Sequence, residues 1–438
     1  MKRKGILFAL LTASMIITAC TAKEPEKEKV VLRIKTPPLS LPYDKDHPDT
    51  EAYDMLKIAS ENFKTQYDKY DVDFIIDKYQ YVDEKKEVVD KIGTKDAADI
   101  IFAGSFNIPT YILKKQIIPL NDIVDDSLRK DIDEAIWSQC SYKGDIYTIP
   151  YFQLQNTLMV NKSIMEKAGL KDYIPKDGSV AQWSIEEFNE ILETLQEQMD
   201  GANSYPMFMY SLNNQGDIHT MTLLRSYGSK IYDDNGYFDF STPEGIKALA
   251  WLKELDTKGL IPKGTENMEL MNMVDLFNNG QLAISPGNQV NYKYAVHEMK
   301  IPTFLANFPN VEGNGYATTY INGFNIFDNK DEDKIQAAKD FLRYLYTDEE
   351  VMKYTLAGIP VNKSVVNKYK DDIELLETYN NNSENLVDFL NNTPNWEGVR
   401  AVFYKGIQGL MKGELTPEEA AKQLDRDCNA AINEGKKE

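Results

Sequence analysis

Short apolar runs alternate with amphipathic stretches along most of the chain. The runs predict strands, and the stretches repeat apolar residues at helical spacing. The predicted strands are Val30–Lys35, Val72–Ile76, Ile100–Ala103, Asp145–Ile149, Leu158–Val160, Tyr205–Met209, Leu282–Ser285 and Gly323–Phe327. This alternation predicts the α/β class with largely parallel sheets.

Capping signals predict where several helices begin. Ser184, Thr347 and Thr416 are each followed three residues later by Glu, which is the pattern of a capping box. A further helix is predicted by the apolar spacing of residues 337–345. The Asp-Asn-Gly sequence at residues 234–236 predicts a tight turn.

The first twenty residues have the pattern of an export signal. Three basic residues precede an apolar run over residues 5–19, which is shorter than the roughly 20 residues a spanning helix needs. The run ends in Ile-Thr-Ala-Cys at residues 17–20, which resembles the lipobox of bacterial lipoproteins. The alternative is an ordinary signal peptide with a chance cysteine. The resemblance implies a signal peptide over residues 1–19 and a lipidated tether over 20–29. Cys20 would then hold the protein on the extracytoplasmic face of the cell membrane.

Composition indicates the class of protein, and net charge argues against one class of partner. The 438 residues are 42% hydrophobic and 27% charged, which is ordinary globular usage, and the length favours two domains. A net charge of −20 argues against nucleic acid as the main partner, because an acidic surface repels phosphates.

The sequence shows no recognisable catalytic or metal-binding motif. His47, His219 and His297 are scattered, without the spacing of metal ligands, and no nucleophile elbow, P-loop or dinucleotide motif is present. We therefore expect a protein that is not an enzyme and has neither metal nor cofactor. A carboxylate dyad of glycosidase type is neither indicated nor excluded. Cys140 and Cys428 could form a disulfide, and their spacing leaves this open.

Landmark segments in a fixed order resemble one protein family. The segments are residues 98–102, 117–120, 144–150, 158–162, 166–170, 183–188, 277–284 and 358–363. Together they resemble family 1 extracellular solute-binding proteins, the sugar-binding lipoproteins or periplasmic proteins of ABC importers, which include the maltose-binding protein. The resemblance covers almost the whole chain after the tether, and it is the order and spacing of the segments that makes it specific.

The resemblance implies a two-lobed periplasmic-binding-protein-like fold with hinge crossovers and an interlobe cleft. It implies an N-terminal lobe of residues 30–151 and 316–363, and a C-terminal lobe of residues 152–315 and 364–438. It further implies a monomer that binds a mono- or oligosaccharide in the cleft and delivers it to ABC permease subunits.

Four candidate ligand-binding residues lie in the first lobe and at the first crossover. Phe106 and Asn107 follow a predicted strand, where relatives place sugar-binding side chains. Tyr151 and Gln153 lie at the first crossover. The alternatives are that Phe106 caps a local apolar cluster and that Tyr151 and Gln153 pack the hinge.

Three further candidates belong to the second lobe. Asn288 lies in a loop that carries a stacking Trp in maltose-binding relatives, and the absence of an aromatic residue there argues against maltose-like specificity. Trp396 matches a second aromatic position of the family, and the alternative is a core Trp. Tyr210 flanks a predicted strand-to-helix turn.

Three functions are consistent with these patterns. The first is saccharide delivery to an ABC permease, the second is a ligand-sensing surface lipoprotein of the same fold, and the third is a surface glycan hydrolase. The family resemblance and the missing catalytic motifs favour the first two.

Overall fold

The computed structural model describes residues 27–44, 46–199, 204–209, 211–212, 217–390 and 392–437. The strands are β1 Lys29–Thr36, β2 Asp71–Lys78, β3 Ile100–Gly104, β4 Ser141–Tyr142, β5 Asp145–Ile146, β6 Ile149–Asn161, β7 Tyr205–Met207, β8 Leu282–Gly287, β9 Thr303–Ala306, β10 Ala317–Ile326, β11 Ile359–Pro360 and β12 Leu386–Asp388. The α-helices are α1 Ala52–Gln66, α2 Glu84–Glu87, α3 Ile108–Leu113, α4 Asp126–Asp131, α5 Glu134–Gln139, α6 Lys162–Lys167, α7 Ile185–Gln198, α8 Asp217–Leu224, α9 Pro243–Thr257, α10 Leu270–Asn278, α11 Gln289–Lys293, α12 Glu332–Leu345, α13 Glu349–Met352, α14 Lys363–Lys368, α15 Leu376–Asn381, α16 Trp396–Lys412 and α17 Pro417–Gly435. The predicted signal peptide, Cys20, most of the predicted tether and Tyr210 lie outside the described residues.

One mixed sheet extends through the molecule in the order β2-β1-β3-β10-β6-β8-β7. At one end β1 lies between β2 and β3 and parallel to both, and at the other end β7 and β8 are parallel. In between, β10 is antiparallel to β3 and β6, and β6 is antiparallel to β8 and β9. The prediction of largely parallel sheets is therefore wrong for the centre. A strand that leaves one half of the molecule and a strand that returns to it must run in opposite directions.

The sheet supports two separate hydrophobic cores. The first draws its buried side chains from residues 30–154 and 321–365, and the second from residues 158–308 and 389–432. A smaller cluster lies on the opposite face of the sheet in each half. Each half is thus a lobe whose sheet is covered on both faces, which is why its strands are nearly continuous apolar runs.

The chain passes between the lobes on its longest strands. On β6, Leu154 packs in the first core and Leu158 in the second. The chain returns between Phe308 of the second core and Ile321 of the first, and it leaves again after Val365. The lobes are therefore joined by chain segments that are themselves part of the sheet.

Two of the three predicted capping boxes are confirmed. The Ser184 hydroxyl accepts from the backbone N–H of Glu187 at 3.1 Å, and Thr416 and Glu419 form the same pair. The third is wrong by one residue, because the carboxylate of Asp348 caps α13 by accepting from the backbone of Glu350 at 2.9 Å. A carboxylate is a stronger acceptor than a hydroxyl and its charge is favourable at a helix N-terminus.

The two cysteines in the described part of the chain are free thiols. Cys140 is buried in the core of the first lobe and Cys428 in that of the second, so the disulfide left open by the sequence is not formed. Among the described residues, no helix has the length and apolar content that crossing a bilayer requires.

Candidate ligand-binding cleft

The carboxyl ends of three parallel strands open onto a cavity of about 260 Å³. The segment after β1 contributes Leu39 and Ser40, the segment after β2 contributes Tyr79, Tyr81 and Glu84, and the segment after β3 contributes Phe106 and Asn107. Loops at the carboxyl ends of strands in an open α/β sheet are where ligands bind in such folds.

The opposite wall of the cavity belongs to the second lobe. It consists of Asp217, Ile218 and His219 of α8, Asn288, Val290 and Asn291 at the start of α11, and Glu397 and Arg400 of α16. The floor is the pair of crossing strands. A ligand in this cavity would contact both lobes and the segments that join them.

The floor carries two buried side-chain amides whose Nδ2 groups have no hydrogen-bond partner among the described residues. Asn156 on β6 is 3% exposed and Asn322 on β10 is 1% exposed, and the Nδ2 atom of each is unpaired. Both line the cavity. A buried donor without an acceptor costs about 1–3 kcal/mol, so a ligand oxygen that accepts from these amides recovers that energy on binding.

Strand alternation explains which side chains form the floor. Leu154 on β6 is opposite Tyr320 on β10, and both line the cavity, as do Asn156 and Asn322 two residues further along. These four side chains share one face of the sheet, because successive side chains of a strand point to opposite faces.

Arg400 is held in the wall by a buried carboxylate. Its Nε donates to Oδ2 of Asp217 at 2.7 Å and its Nη2 donates to Oδ1 at 3.1 Å, and the Asp217 side chain is only 1% exposed. The indole N–H of Trp396 donates to the same Oδ2 at 2.7 Å. Burial lowers the pKa of Arg400, but the Asp217 carboxylate outweighs burial and raises it above the ordinary value. The guanidinium is therefore charged and fixed in orientation.

Glu84 is the carboxylate on the other side of the cavity. It accepts from the Tyr111 hydroxyl at 2.7 Å and from the Asn107 side chain. Burial raises the pKa of this carboxyl, against the lowering effect of its two donors and of Arg400. Glu84 therefore accepts hydrogen bonds at the cavity without a salt-bridge partner of its own.

His219 lies beside Asp217 and lines the cavity as an uncharged ring. Burial lowers its pKa to about 4, although Asp217 opposes the shift. Its ring is stacked on Phe308 with 6.4 Å between centroids. At neutral pH it offers a donor and an acceptor, and no charge.

Three of the residues predicted from the sequence line the cavity: Phe106, Asn107 and Asn288. The Phe106 ring contacts Phe389 of the second lobe at 5.8 Å between centroids, and the Arg400 guanidinium lies 5.0 Å from its centroid. The Asn288 side-chain oxygen caps α11 by accepting from the backbone of Val290 at 3.0 Å.

The other described candidates lie elsewhere. Tyr151 is buried in the core of the first lobe, where its hydroxyl donates to the backbone carbonyl of Val351. Gln153 accepts from the Thr319 hydroxyl at 3.5 Å on the same, odd-numbered side of β6. Trp396 is fully buried in the second core. None of the three lines the cavity.

A second compartment of about 560 Å³ adjoins the first, and Ser40 and Val290 line both. Its walls also come from both lobes. Lys293 of α11 donates to the backbone carbonyl of Leu356, and burial lowers the pKa of this lysine to about 8. The cleft therefore continues beyond the inner cavity.

Comparison with known proteins identifies the family. The family model described as "Bacterial extracellular solute-binding protein" matches residues 50–352. The chain belongs to this family. The resemblance seen in the landmark segments is thus confirmed, and the family is one of binding proteins that act outside the cell.

Solved structures share the two-lobed fold of this solute-binding protein. The ABC substrate-binding protein of Listeria monocytogenes, solved in complex with cycloalternan, has a TM-score of 0.74 at 16% identity and covers 93% of this chain and 99% of its own. Maltose-bound MalE3 of T. maritima has a TM-score of 0.70 at 18% identity, with 91% and 99% covered. Both likenesses establish the fold.

One curated relative aligns with a smaller share of this chain than the solved structures do. The arabinooligosaccharide-binding protein of Halalkalibacterium halodurans is 23% identical over 284 residues, which is 61% of this chain and 58% of that protein.

Several cavity residues escaped the sequence analysis although the chain carries signals for them. Tyr79, Tyr81 and Glu84 follow a predicted strand, which is the same argument that selected Phe106. Asn156 and Asn322 are polar residues inside otherwise apolar strands, and a buried polar side chain is informative because it needs a partner. No comparable signal marks Asp217, Glu397 or Arg400, which lie on helices.

Within the described part of the chain, no group of three or more His, Cys, Asp or Glu side chains could hold a metal ion.

Proposed function

We propose that this solute-binding protein captures a saccharide in the interlobe cavity and delivers it to the permease subunits of an ABC importer. The observation that carries the proposal is the pair of unpaired amides of Asn156 and Asn322 on the floor of a cavity that both lobes line. A saccharide hydroxyl supplies the acceptor that each amide lacks. Names of relatives support the sugar class, since they include complexes with cycloalternan and maltose.

The remaining lining suits a sugar ring. A sugar ring has one face of C–H groups and an edge of hydroxyls, so it needs an apolar platform and polar partners. Tyr81 is 42% exposed and Phe106 is half-buried at the cavity, which provides the platforms. Glu84, Asn107 and His219 provide acceptors and donors. The adjoining compartment leaves room for an oligosaccharide.

The proposal also covers the anchoring of the protein to the membrane and the boundaries of its two lobes. We propose that residues 1–19 are removed as a signal peptide, that Cys20 carries lipid, and that residues 20–29 are the tether. The lobes are proposed to comprise residues 30–151 with 316–363, and 152–315 with 364–438, in a monomer, with Leu154 and Val365 at the boundaries packing in the first core.

The test uses the fact that the Nδ2 groups of the two floor asparagines are buried and unpaired. In Asn156→Leu the unpaired donor disappears, so we expect the free protein to be at least as stable as wild type. The same substitution should weaken saccharide binding more than tenfold, because the acceptor on the ligand loses its partner. Asn322→Leu should behave alike. Calorimetric titration of the chain from residue 27 against a panel of mono- and oligosaccharides measures binding, and thermal unfolding without ligand measures stability.

Asn433→Leu is the matched control, because this asparagine is exposed on α17 and does not line the cavity. It should leave binding unchanged. Loss of binding in the control to the same degree, or no saccharide bound by wild type, would refute the proposal. Transport is distinguished from sensing by uptake of the bound saccharide in a strain that lacks the gene, which should fall to background.

A further inference from the structure

Acidic side chains outnumber basic ones in the lining of the cavity of about 260 Å³. Among the described residues that line it, the acidic and basic side chains other than His219 are Glu84, Asp217, Glu397 and Arg400. Asp217 and Arg400 form a two-point ion pair and neutralise each other. His219 is uncharged at neutral pH. Among the described residues, Glu84 and Glu397 have no ion-pair partner of their own, and Arg400, which Asp217 holds, attracts Glu84 only from a distance.

These carboxylates come from opposite lobes. Glu84 lies on α2 after β2 of the first lobe, and Glu397 lies in the first turn of α16 in the second. Lys85, the residue after Glu84, forms an ion pair with Asp90 at 2.7 Å, and Asp90 and more weakly Glu397 raise its pKa. The donors to Glu84 are the uncharged side chains of Tyr111 and Asn107. Glu84 and Glu397 therefore place acidic side chains on the two walls of the cleft, and the repulsion between them opposes closure of the lobes.

A second set of groups points to a ligand that also carries oxygen acceptors. The amides of Asn156 and Asn322 are unpaired, and so is the hydroxyl of Tyr79, which is 4% exposed. All three line the same cavity as the two carboxylates. The exposed ring of Tyr81 lies there too, and an aromatic face attracts a cation.

We propose that the preferred ligand of this cavity is an amino sugar, whose protonated amine is bound by Glu84 and Glu397 while its oxygens accept from Asn156 and Asn322. The inference rests on the proposed function and specifies its substrate class. The ammonium group replaces the repulsion between the two lobes by attraction to both, so the ligand's charge itself favours the closed form.

The experiment compares sugars that differ only in an amine. The pairs are glucosamine with glucose, galactosamine with galactose, and the β-1,4-linked glucosamine dimer with cellobiose. Calorimetry at pH 7 on the chain from residue 27 should show that at least one amine binds ten times or more tightly than its neutral partner. The N-acetylated dimer, which keeps the nitrogen and loses the charge, should bind no more tightly than cellobiose.

Variants assign the effect to the carboxylates. Glu397→Gln keeps the shape of the side chain and should reduce the preference for the amine over its neutral partner to less than threefold. Glu418→Gln, on the exposed face of α17, is the control and should keep the full preference. If no amine binds more tightly than its neutral partner, or if Glu397→Gln keeps the preference, the amino-sugar inference is wrong. Binding of neutral saccharides in that case leaves the proposed function intact, whereas a panel with no bound saccharide overturns both.

Discussion

Replacing Trp396 by Ala tests whether this ring is structural or part of the ligand site. The ring is fully buried in the second core and lies edge-on to Phe389 at 5.7 Å between centroids. Its N–H donates to the buried carboxylate of Asp217, which in turn holds Arg400 at the cavity wall. We therefore expect Trp396 to act as a positioning residue behind the site, without touching the ligand.

The size of the effect follows from the buried ring and from the lost donor. An aromatic side chain buries about 150–250 Å², and at about 25 cal/mol per Å² this corresponds to about 4–6 kcal/mol. Measured substitutions of buried Trp by Ala cost about 3–5 kcal/mol. We predict a loss of about 3–5 kcal/mol in the free energy of unfolding for Trp396→Ala. Trp396→Phe keeps most of the area and loses the donor to a charged acceptor, which costs about 1.5–3 kcal/mol.

Urea unfolding of the chain from residue 27, followed by far-ultraviolet circular dichroism, measures these losses. Trp251→Phe is the matched control, because the Trp251 ring is also buried and its N–H donates at 2.8 Å to the neutral side-chain oxygen of Asn189. Loss of a bond to a neutral acceptor should cost only about 0.5–1.5 kcal/mol. If Trp396→Ala loses less than about 1 kcal/mol of stability while saccharide binding falls more than tenfold, the ring is a binding platform and the reasoning is wrong.

Four further outcomes are expected. Cys20→Ala should release the protein from membrane fractions, and a variant that stays bound in high salt contradicts lipid anchoring. Small-angle scattering should give a smaller radius of gyration at saturating saccharide, and an unchanged profile argues for a rigid cleft. Burial raises the pKa of the Cys140 and Cys428 thiols and shields them, so Ellman's reagent should find no reactive thiol in the native chain from residue 27 and two after unfolding. The pKa of His219 is about 4 in the folded chain against an ordinary 6.5, so the unfolded state takes up the proton first. Stability should therefore fall as the pH drops from 6.5 to 4, and His219→Gln should flatten that slope.

The sequence by itself determined the local structure and the family. The capping boxes at Ser184 and Thr416 form because donor and acceptor lie three residues apart, so no distant contact is needed. The predicted strands Ile100–Ala103 and Leu282–Ser285 are apolar runs that are buried on both faces, whereas the edge strand β2 is buried only in part. The landmark segments indicated the family because their order and spacing can be read directly from the sequence.

The ligand site was determined only in part by the sequence. The position after a strand correctly placed Phe106 and Asn107 at the cavity, since the carboxyl ends of parallel strands meet at one edge. The same reasoning about the first crossover selected Tyr151 and Gln153, which lie on the side of β6 away from the cavity. A run that is apolar on both faces does not reveal which face meets the ligand, and a shift of one residue exchanges the two.

The rest was decided by the tertiary structure. Asn156 and Asn322 share the cavity floor because β6 and β10 pair, and this pairing places Thr318 opposite Asn156, 162 positions away in sequence. The bond between Trp396 and Asp217 joins residues 179 positions apart. Which side chains are paired, and which are left unpaired for a ligand, depends on contacts between segments distant in sequence. No local pattern of apolar and polar residues specifies those contacts, because each is set by how two lobes pack around the strands that join them.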